Sequence, residues 1–123
     1  MYELEVTTAF SSAHQLNGYP GDCRKLHGHN WSVVAVLQAK ELDEVGIAVD
    51  FKRLKRELDP IISHFDHAYL NDLPEFADMN PTSENIARVI YQLLKPKIND
   101  GNVKLSRISV LESPNSKASY FED

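Results

Sequence analysis

Two stretches near the start of the chain alternate in polarity with a period of two. No other feature limits the possible folds as strongly. Tyr2, Leu4, Val6, Thr8 and Phe10 share one side of the first stretch; Trp31, Val33, Ala35, Leu37 and Ala39 share one side of the second. Side chains point to opposite faces of a strand in turn, so this pattern predicts two half-buried strands, 2–10 and 29–39. The intervening segment, Asn17 to Gly28, contains Gly18, Pro20, Gly21 and Gly28 and reads as a loop. If the strands pair as a hairpin, they are antiparallel.

The periodicity then changes. Phe51, Leu54, Leu58, Ile61, Ile62 and Phe65 recur at helical spacing, with Asp50 as N-cap. Pro60 falls inside that pattern and is expected to kink or split the helix. His64 to Asn80 reads as an irregular connection. Thr82 caps a second helix, whose apolar stripe is Ile86, Ile90, Leu93, Leu94 and Ile98, with Glu84 near its positive end. Val103–Glu112 and Lys117–Phe121 read as two further strands around Ser113-Pro114-Asn115. The order is β-β-α-α-β-β, which predicts an α+β fold with a four-stranded antiparallel sheet and two helices on one face. The other face is left to solvent or to another subunit.

A chain of 123 residues with 42% hydrophobic and 25% charged residues suits one globular domain, here 1–123. The formal net charge of −5 disfavours a nucleic-acid partner, because an acidic surface repels a phosphate backbone. A local pocket for a small anion stays open. With Cys23 as the single cysteine, neither an internal disulfide nor a multi-cysteine zinc site is available. The first residues lack the pattern of a secretory signal, and no apolar run is long enough to span a bilayer. The expectation is a soluble cytoplasmic protein without a membrane partner.

Five histidines stand at 14, 27, 29, 64 and 67. His27 and His29 flank Gly28, and on extended backbone residues i and i+2 point the same way, about 7 Å apart. His14 follows the first strand and would meet them across a hairpin. Three neutral imidazoles suit zinc and leave a fourth tetrahedral position open, as in catalytic sites. Cys23 precedes His27 by four residues. Beside Arg24, Lys25 and an ion its thiolate would be favoured, making it a base or nucleophile; alternatively it is a fourth ligand that closes a structural site. Asp66 and His67 are neighbours that an irregular loop can bring together, the carboxylate fixing the imidazole tautomer. Glu112 closes an apolar strand face shared with Ile108 and Val110, a place to anchor a cationic or amidine-like edge.

These segments have a known counterpart. Phe10-Ser11-Ser12-Ala13-His14, Cys23-Arg24-Lys25-Leu26-His27-Gly28-His29-Asn30, Val49-Asp50-Phe51, Phe65-Asp66-His67, Asn80-Pro81-Thr82-Ser83-Glu84-Asn85 and Leu111-Glu112-Ser113 together resemble the 6-pyruvoyltetrahydropterin synthase family. The blocks occur in family order over nearly the whole chain. The Cys-x-x-x-His-Gly-His spacing is similar to the bacterial 6-carboxytetrahydropterin synthase branch, which serves queuosine precursor synthesis. The resemblance implies the tunnelling fold and a homohexamer, a dimer of trimers with sites at subunit interfaces. It implies a lyase that converts the pterin substrate 7,8-dihydroneopterin triphosphate and water to 6-carboxytetrahydropterin, acetaldehyde and triphosphate. It further implies one zinc ion per subunit on His14, His27 and His29, Cys23 as general base, and Asp66 orienting a proton-transferring His67. Glu112, Thr82 and Ser83 would hold the pterin, with Arg24 and Lys25 as guesses for the triphosphate.

Three other readings compete: 6-pyruvoyltetrahydropterin synthase itself, a cupin-like metal protein, and a zinc-stabilised module without activity. The cupin reading is the weakest, because Val33 and Val34 stand where that motif needs a glutamate.

Overall fold

In the computed structural model, residues 1–18 and 25–123 are described. The alternating stretches form β1 (Tyr2–His14) and β2 (His27–Ala39), 13 residues each and paired antiparallel. Helix α1 (Phe51–Phe65) follows, then β3 (Ala68–Tyr69), α2 (Ser83–Ile98), β4 (Val103–Ser113) and β5 (Ser116–Tyr120). The sheet order is β3-β1-β2-β4-β5. It therefore has a fifth strand beyond the expected four, and β3 lies parallel to β1. Two residues are too few to show a period, so the segment read as irregular hides a short strand.

One sheet face carries the core. Phe10, Trp31, Val33, Ala35, Leu37, Leu105, Ile108 and Val110 are buried there against Leu54, Leu58, Ile62 and Phe65 of α1 and Ile86, Ile90 and Leu94 of α2. Both helices thus cover the same face, as the sequence predicts. On the opposite face of β1, Glu3, Glu5, Thr7 and Ala9 are exposed.

Both predicted caps form. Asp50 accepts the Lys52 N–H at 2.8 Å, and the Thr82 hydroxyl oxygen accepts the Asn85 N–H at 3.1 Å. Pro60 does not split α1, which runs unbroken. Arg56 and Pro60 are both exposed, so the Arg56 carbonyl that Pro60 leaves without an N–H can bond water instead. Phe51 and Leu93, read as part of the buried stripes, are 51% and 37% exposed. Phe51 is the first residue of its helix and Leu93 lies at the margin of its stripe.

A bulge in β4 decides where that strand points its side chains. Leu105 pairs with Leu37 and Arg107 with Val36, so two steps on β4 face one on β2. The extra residue, Ser106, switches the phase of the alternation. Val103 and Leu105 face the core before it; Ile108 and Val110 do so after it. The same phase carries Glu112 onto the core face.

Candidate metal centre and active site

The register of the first two strands assembles the histidines. His14 stands opposite His27, and Ser12 stands opposite His29. Directly opposed residues share a face, and so do residues two apart. His14, His27 and His29 therefore lie on the core face, at the open end of the row that contains Phe10 and Trp31. The ring centroids of His14 and His29 lie 5.0 and 5.1 Å from that of Trp31, edge to face. Trp31 is fully buried and forms a rigid floor. Glu112 reaches the same spot from β4. One ligand atom from each of His14, His27, His29 and Glu112 can be chosen so that all four lie within 4.8 Å of one another, close enough to hold one metal ion.

Hydrogen bonds fix two of these rings. His14 Nδ1 lies 2.8 Å from the Pro81 carbonyl oxygen, and His27 Nδ1 lies 2.7 Å from the Lys25 carbonyl oxygen. A carbonyl oxygen can only accept, so each Nδ1 carries the proton. In a neutral ring the other nitrogen, Nε2, then has a bare lone pair. These two Nε2 atoms face each other at 2.8 Å. Two lone pairs at that distance repel unless a cation lies with them. Backbone carbonyls on Nδ1 are also the usual outer partners of metal-bound histidines.

The third ring agrees. His29 Nε2 is buried without a hydrogen bond of acceptable geometry, although Glu112 Oε1 lies 2.8 Å away. Burial pushes the pKa of His14 below the ordinary histidine value, and the Pro81 hydrogen bond opposes it only in part. Burial likewise lowers that of His29, against the pull of Glu112. Both shifts favour the neutral imidazole, the form that ligates metal. The donor set of three imidazoles and one carboxylate fits zinc.

The other predicted residues sort differently. Asp66 Oδ2 lies 2.9 Å from His67 Nδ1, so that pair forms as expected. Asp66 Oδ1 accepts the Ser11 N–H at 2.8 Å, and that bond, with the His67 contact behind it, holds the Asp66 carboxyl below its usual pKa. His67 has φ 53°, the left-handed region, which is uncommon for a side chain of this size. Its side chain is 82% exposed and stands outside the four-residue ligand group. His67 and His29 do line one open cavity, together with Ser11, Gly28, Asn30 and Ala68. Thr82 and Ser83 begin α2 directly after Pro81, whose carbonyl bonds His14, so that turn lies beside the histidines. The Lys25 carbonyl accepts from His27 Nδ1. Cys23 and Arg24 lie outside the described residues. Gly28 has room for a side chain within this chain: an added Cβ would meet only Ser12 O, at 3.8 Å.

Sequence reasoning missed the Pro81 carbonyl, because backbone acceptors leave no trace in residue type. It placed Glu112 at a ligand edge, and the structure adds that Glu112 stands among the histidines.

Comparison with known proteins gives a consistent picture. Residues 3–123 match the family described as 6-pyruvoyl tetrahydropterin synthase. A 6-carboxy-5,6,7,8-tetrahydropterin synthase from Synechocystis sp. is 39% identical over 126 residues, covering 98% of this chain and 94% of the relative. A dihydroneopterin monophosphate aldolase from Pyrococcus furiosus is 33% identical over 104 residues, covering 85% and 83%. The solved structure of 6-pyruvoyl tetrahydropterin synthase from Caenorhabditis elegans superposes with a TM-score of 0.87 at 26% identity, covering 99% of this chain and 96% of that one.

Proposed function

This chain belongs to the 6-pyruvoyl tetrahydropterin synthase family, and from that premise we propose that it is a zinc-dependent 6-carboxy-5,6,7,8-tetrahydropterin synthase. It would convert 7,8-dihydroneopterin triphosphate and water to 6-carboxytetrahydropterin, acetaldehyde and triphosphate, a step toward queuosine. The observation that carries the metal part is the pair of Nε2 atoms of His14 and His27, both aprotic in neutral rings and 2.8 Å apart. The 39% identity to a relative of that name over 98% of the chain carries the substrate part.

His14, His27 and His29 would hold a zinc ion, which when bound would supply a Lewis acid for the oxygen-bearing side chain of the pterin. Glu112 bonds the N–H and amino edge of the pterin, a charge-assisted contact. Thr82 and Ser83 bond the same ring from the start of α2; the Thr82 oxygen already accepts one N–H, so its hydroxyl hydrogen is the part left to donate. Cys23 removes a carbon-bound proton from the substrate side chain. His67, oriented by Asp66, moves a proton at the opposite side. The working unit is a homohexamer with sites completed between subunits. Two features support this: His67 stands apart from the ligand group, and the outer face of β1 is uncovered.

One observation favours a second role for Glu112. Its Oε1 sits 2.8 Å from His29 Nε2, inside the ligand group, so it can serve as a fourth ligand instead of a pterin anchor. The aldolase relative keeps a second reaction in view, aldol cleavage of a dihydroneopterin phosphate. Incubation with dihydroneopterin triphosphate, with and without zinc, tests the whole reading. Acetaldehyde and 6-carboxytetrahydropterin are expected, lost on chelation and restored by zinc. A product that keeps the three-carbon side chain, or turnover indifferent to chelation, overturns it.

A further inference from the structure

The outer edge of β1 at Ser11, and the chain that follows β1 at Gln15 and Asn17, are bonded by groups beyond the two residues of β3. The His67 N–H donates to the Ser11 carbonyl at 2.6 Å, and Asp66 Oδ1 accepts the Ser11 N–H. At Ser12 and Ala13 the partner is β3 itself. Beyond β3, side-chain amides take over. Asn71 Oδ1 accepts the Gln15 N–H at 2.8 Å while Asn71 Nδ2 donates to the Gln15 carbonyl at 2.7 Å. Asn80 treats Asn17 the same way, at 3.0 and 2.8 Å. Each amide offers one donor and one acceptor to one residue's backbone, which is what a neighbouring strand would offer. Odd-numbered residues turn their backbone polar groups to this edge, from Ser11 to Asn17.

Asn80 differs from the other members because of what surrounds it. Its own carbonyl accepts the Thr82 N–H at 2.9 Å and the Asn85 side-chain amide at 2.9 Å. The next residue is Pro81, whose carbonyl takes His14 Nδ1–H. Asn80 is thus fastened to the first turn of α2 on one side and to the exit of β1 on the other. The His14 ring bonds the residue between these fastenings. His14 and the start of the segment leading to Cys23 are therefore held by one turn of backbone.

We propose that Asn80 is a positioning residue, whose amide locks Asn17 and thereby holds the Pro81 carbonyl in place to fix the tautomer and direction of His14. This rests on the zinc reading given above for its metal readout, but not for its readout on the free ring. Without the Asn80 amide, the β1 exit and the Pro81 turn can separate, and His14 Nδ1–H loses its fixed acceptor. An outer partner such as the Pro81 carbonyl is worth roughly 10–100-fold in metal affinity, which bounds the effect of a residue acting through it.

The test compares Asn80→Ala with Asn102→Ala. Asn102 holds another backbone segment in the same manner, accepting from Lys40 and Glu41 N–H and donating to the Glu41 carbonyl, far along the sheet from His14. Both variants are expected to lower the Tm. Only Asn80→Ala should raise the zinc dissociation constant, by more than twofold and up to about 100-fold in chelator competition. Only Asn80→Ala should turn the His14 ring, in nitrogen-15 spectra of the metal-free protein, from the Nδ1–H tautomer to a mixture. If Asn80→Ala does not fold, Asn80→Asp replaces it, keeping the acceptor for Asn17 and losing the donor. A His14 ring that stays Nδ1–H in the Asn80 variant overturns the inference. So does zinc affinity within twofold of the unaltered protein. An unaltered protein that takes up no zinc sinks the metal reading instead, and the tautomer result then decides the role of Asn80.

Discussion

At the scale of residues, the site is a set of lone pairs kept free of protons. His14 and His27 each spend their one ring proton on a backbone carbonyl. His14→Ala should therefore abolish stoichiometric zinc binding, weakening it by more than the roughly 100-fold upper range of an outer partner. Equilibrium dialysis checks this; retention of one zinc per chain would contradict it. Glu112→Gln separates the two roles of that carboxylate. If Glu112 anchors the pterin, zinc affinity holds and the pterin dissociation constant rises by about 10–100-fold, the equivalent of 1.5–3 kcal/mol for a charged hydrogen bond. A fall in zinc affinity instead assigns it to the metal. Asp66 gives a pH signature. Its pKa lies below the ordinary 3.8, chiefly through the Ser11 N–H and secondly through His67. A carboxyl with a depressed folded-state pKa stabilises the fold above its unfolded value, and the contribution disappears as pH falls through the folded value. Asp66→Asn keeps an oxygen for Ser11 and removes the charge. The Tm gap between the two proteins should narrow as pH falls below about 3.8. A gap independent of pH would show that the charge is immaterial.

At the scale of elements, legibility followed length. β1 and β2 were plain because 13-residue strands with one buried face repeat their period many times. The meeting of His14, His27 and His29 was legible for the same reason, since period two and a hairpin register place 14, 27 and 29 together. β3 was not, having two residues. Pro60 misled because the rule against interior proline concerns a lost hydrogen bond, and an exposed carbonyl can make that bond to water. The Ser106 bulge shows another limit. Alternation after position 107 is visible, but which face it joins depends on one extra residue opposite Val36 and Leu37. Bulges beside functional sites commonly re-aim a side chain in this way. The start of α2 couples stability to the site. Thr82→Ala removes the cap and should cost about 1 kcal/mol, lowering the Tm by roughly 4 °C. Thr82→Ser should restore the Tm. If Thr82 also bonds the pterin, Thr82→Ala raises KM for the pterin and Thr82→Ser returns it toward the original value; an unchanged KM in both would confine Thr82 to the cap.

At the scale of the whole molecule, the question is why one chain divides its proposed machinery between two places. The ligand group sits at the end of the core face, over Trp31. His67 sits beyond β1, mostly exposed, held in a left-handed conformation by Asp66 and by its N–H bond to Ser11. Such conformations persist where the surroundings enforce them, and exposure at 82% means that little among the described residues covers the ring. A site completed by a neighbouring copy accounts for both facts. Sedimentation should then give a particle of about six times 13.9 kDa. Mixing gives the sharper test. His14→Ala lacks the metal half of a site and His67→Ala lacks the proton-transfer half, so each homohexamer should be inactive. If each site takes its halves from different chains, unfolding and refolding the two together at equal ratio pairs an intact half with an intact half in about a quarter of sites. Activity should return to about that fraction. If both halves come from one chain, every site in the mixture stays defective and the mixture remains as inactive as its parents.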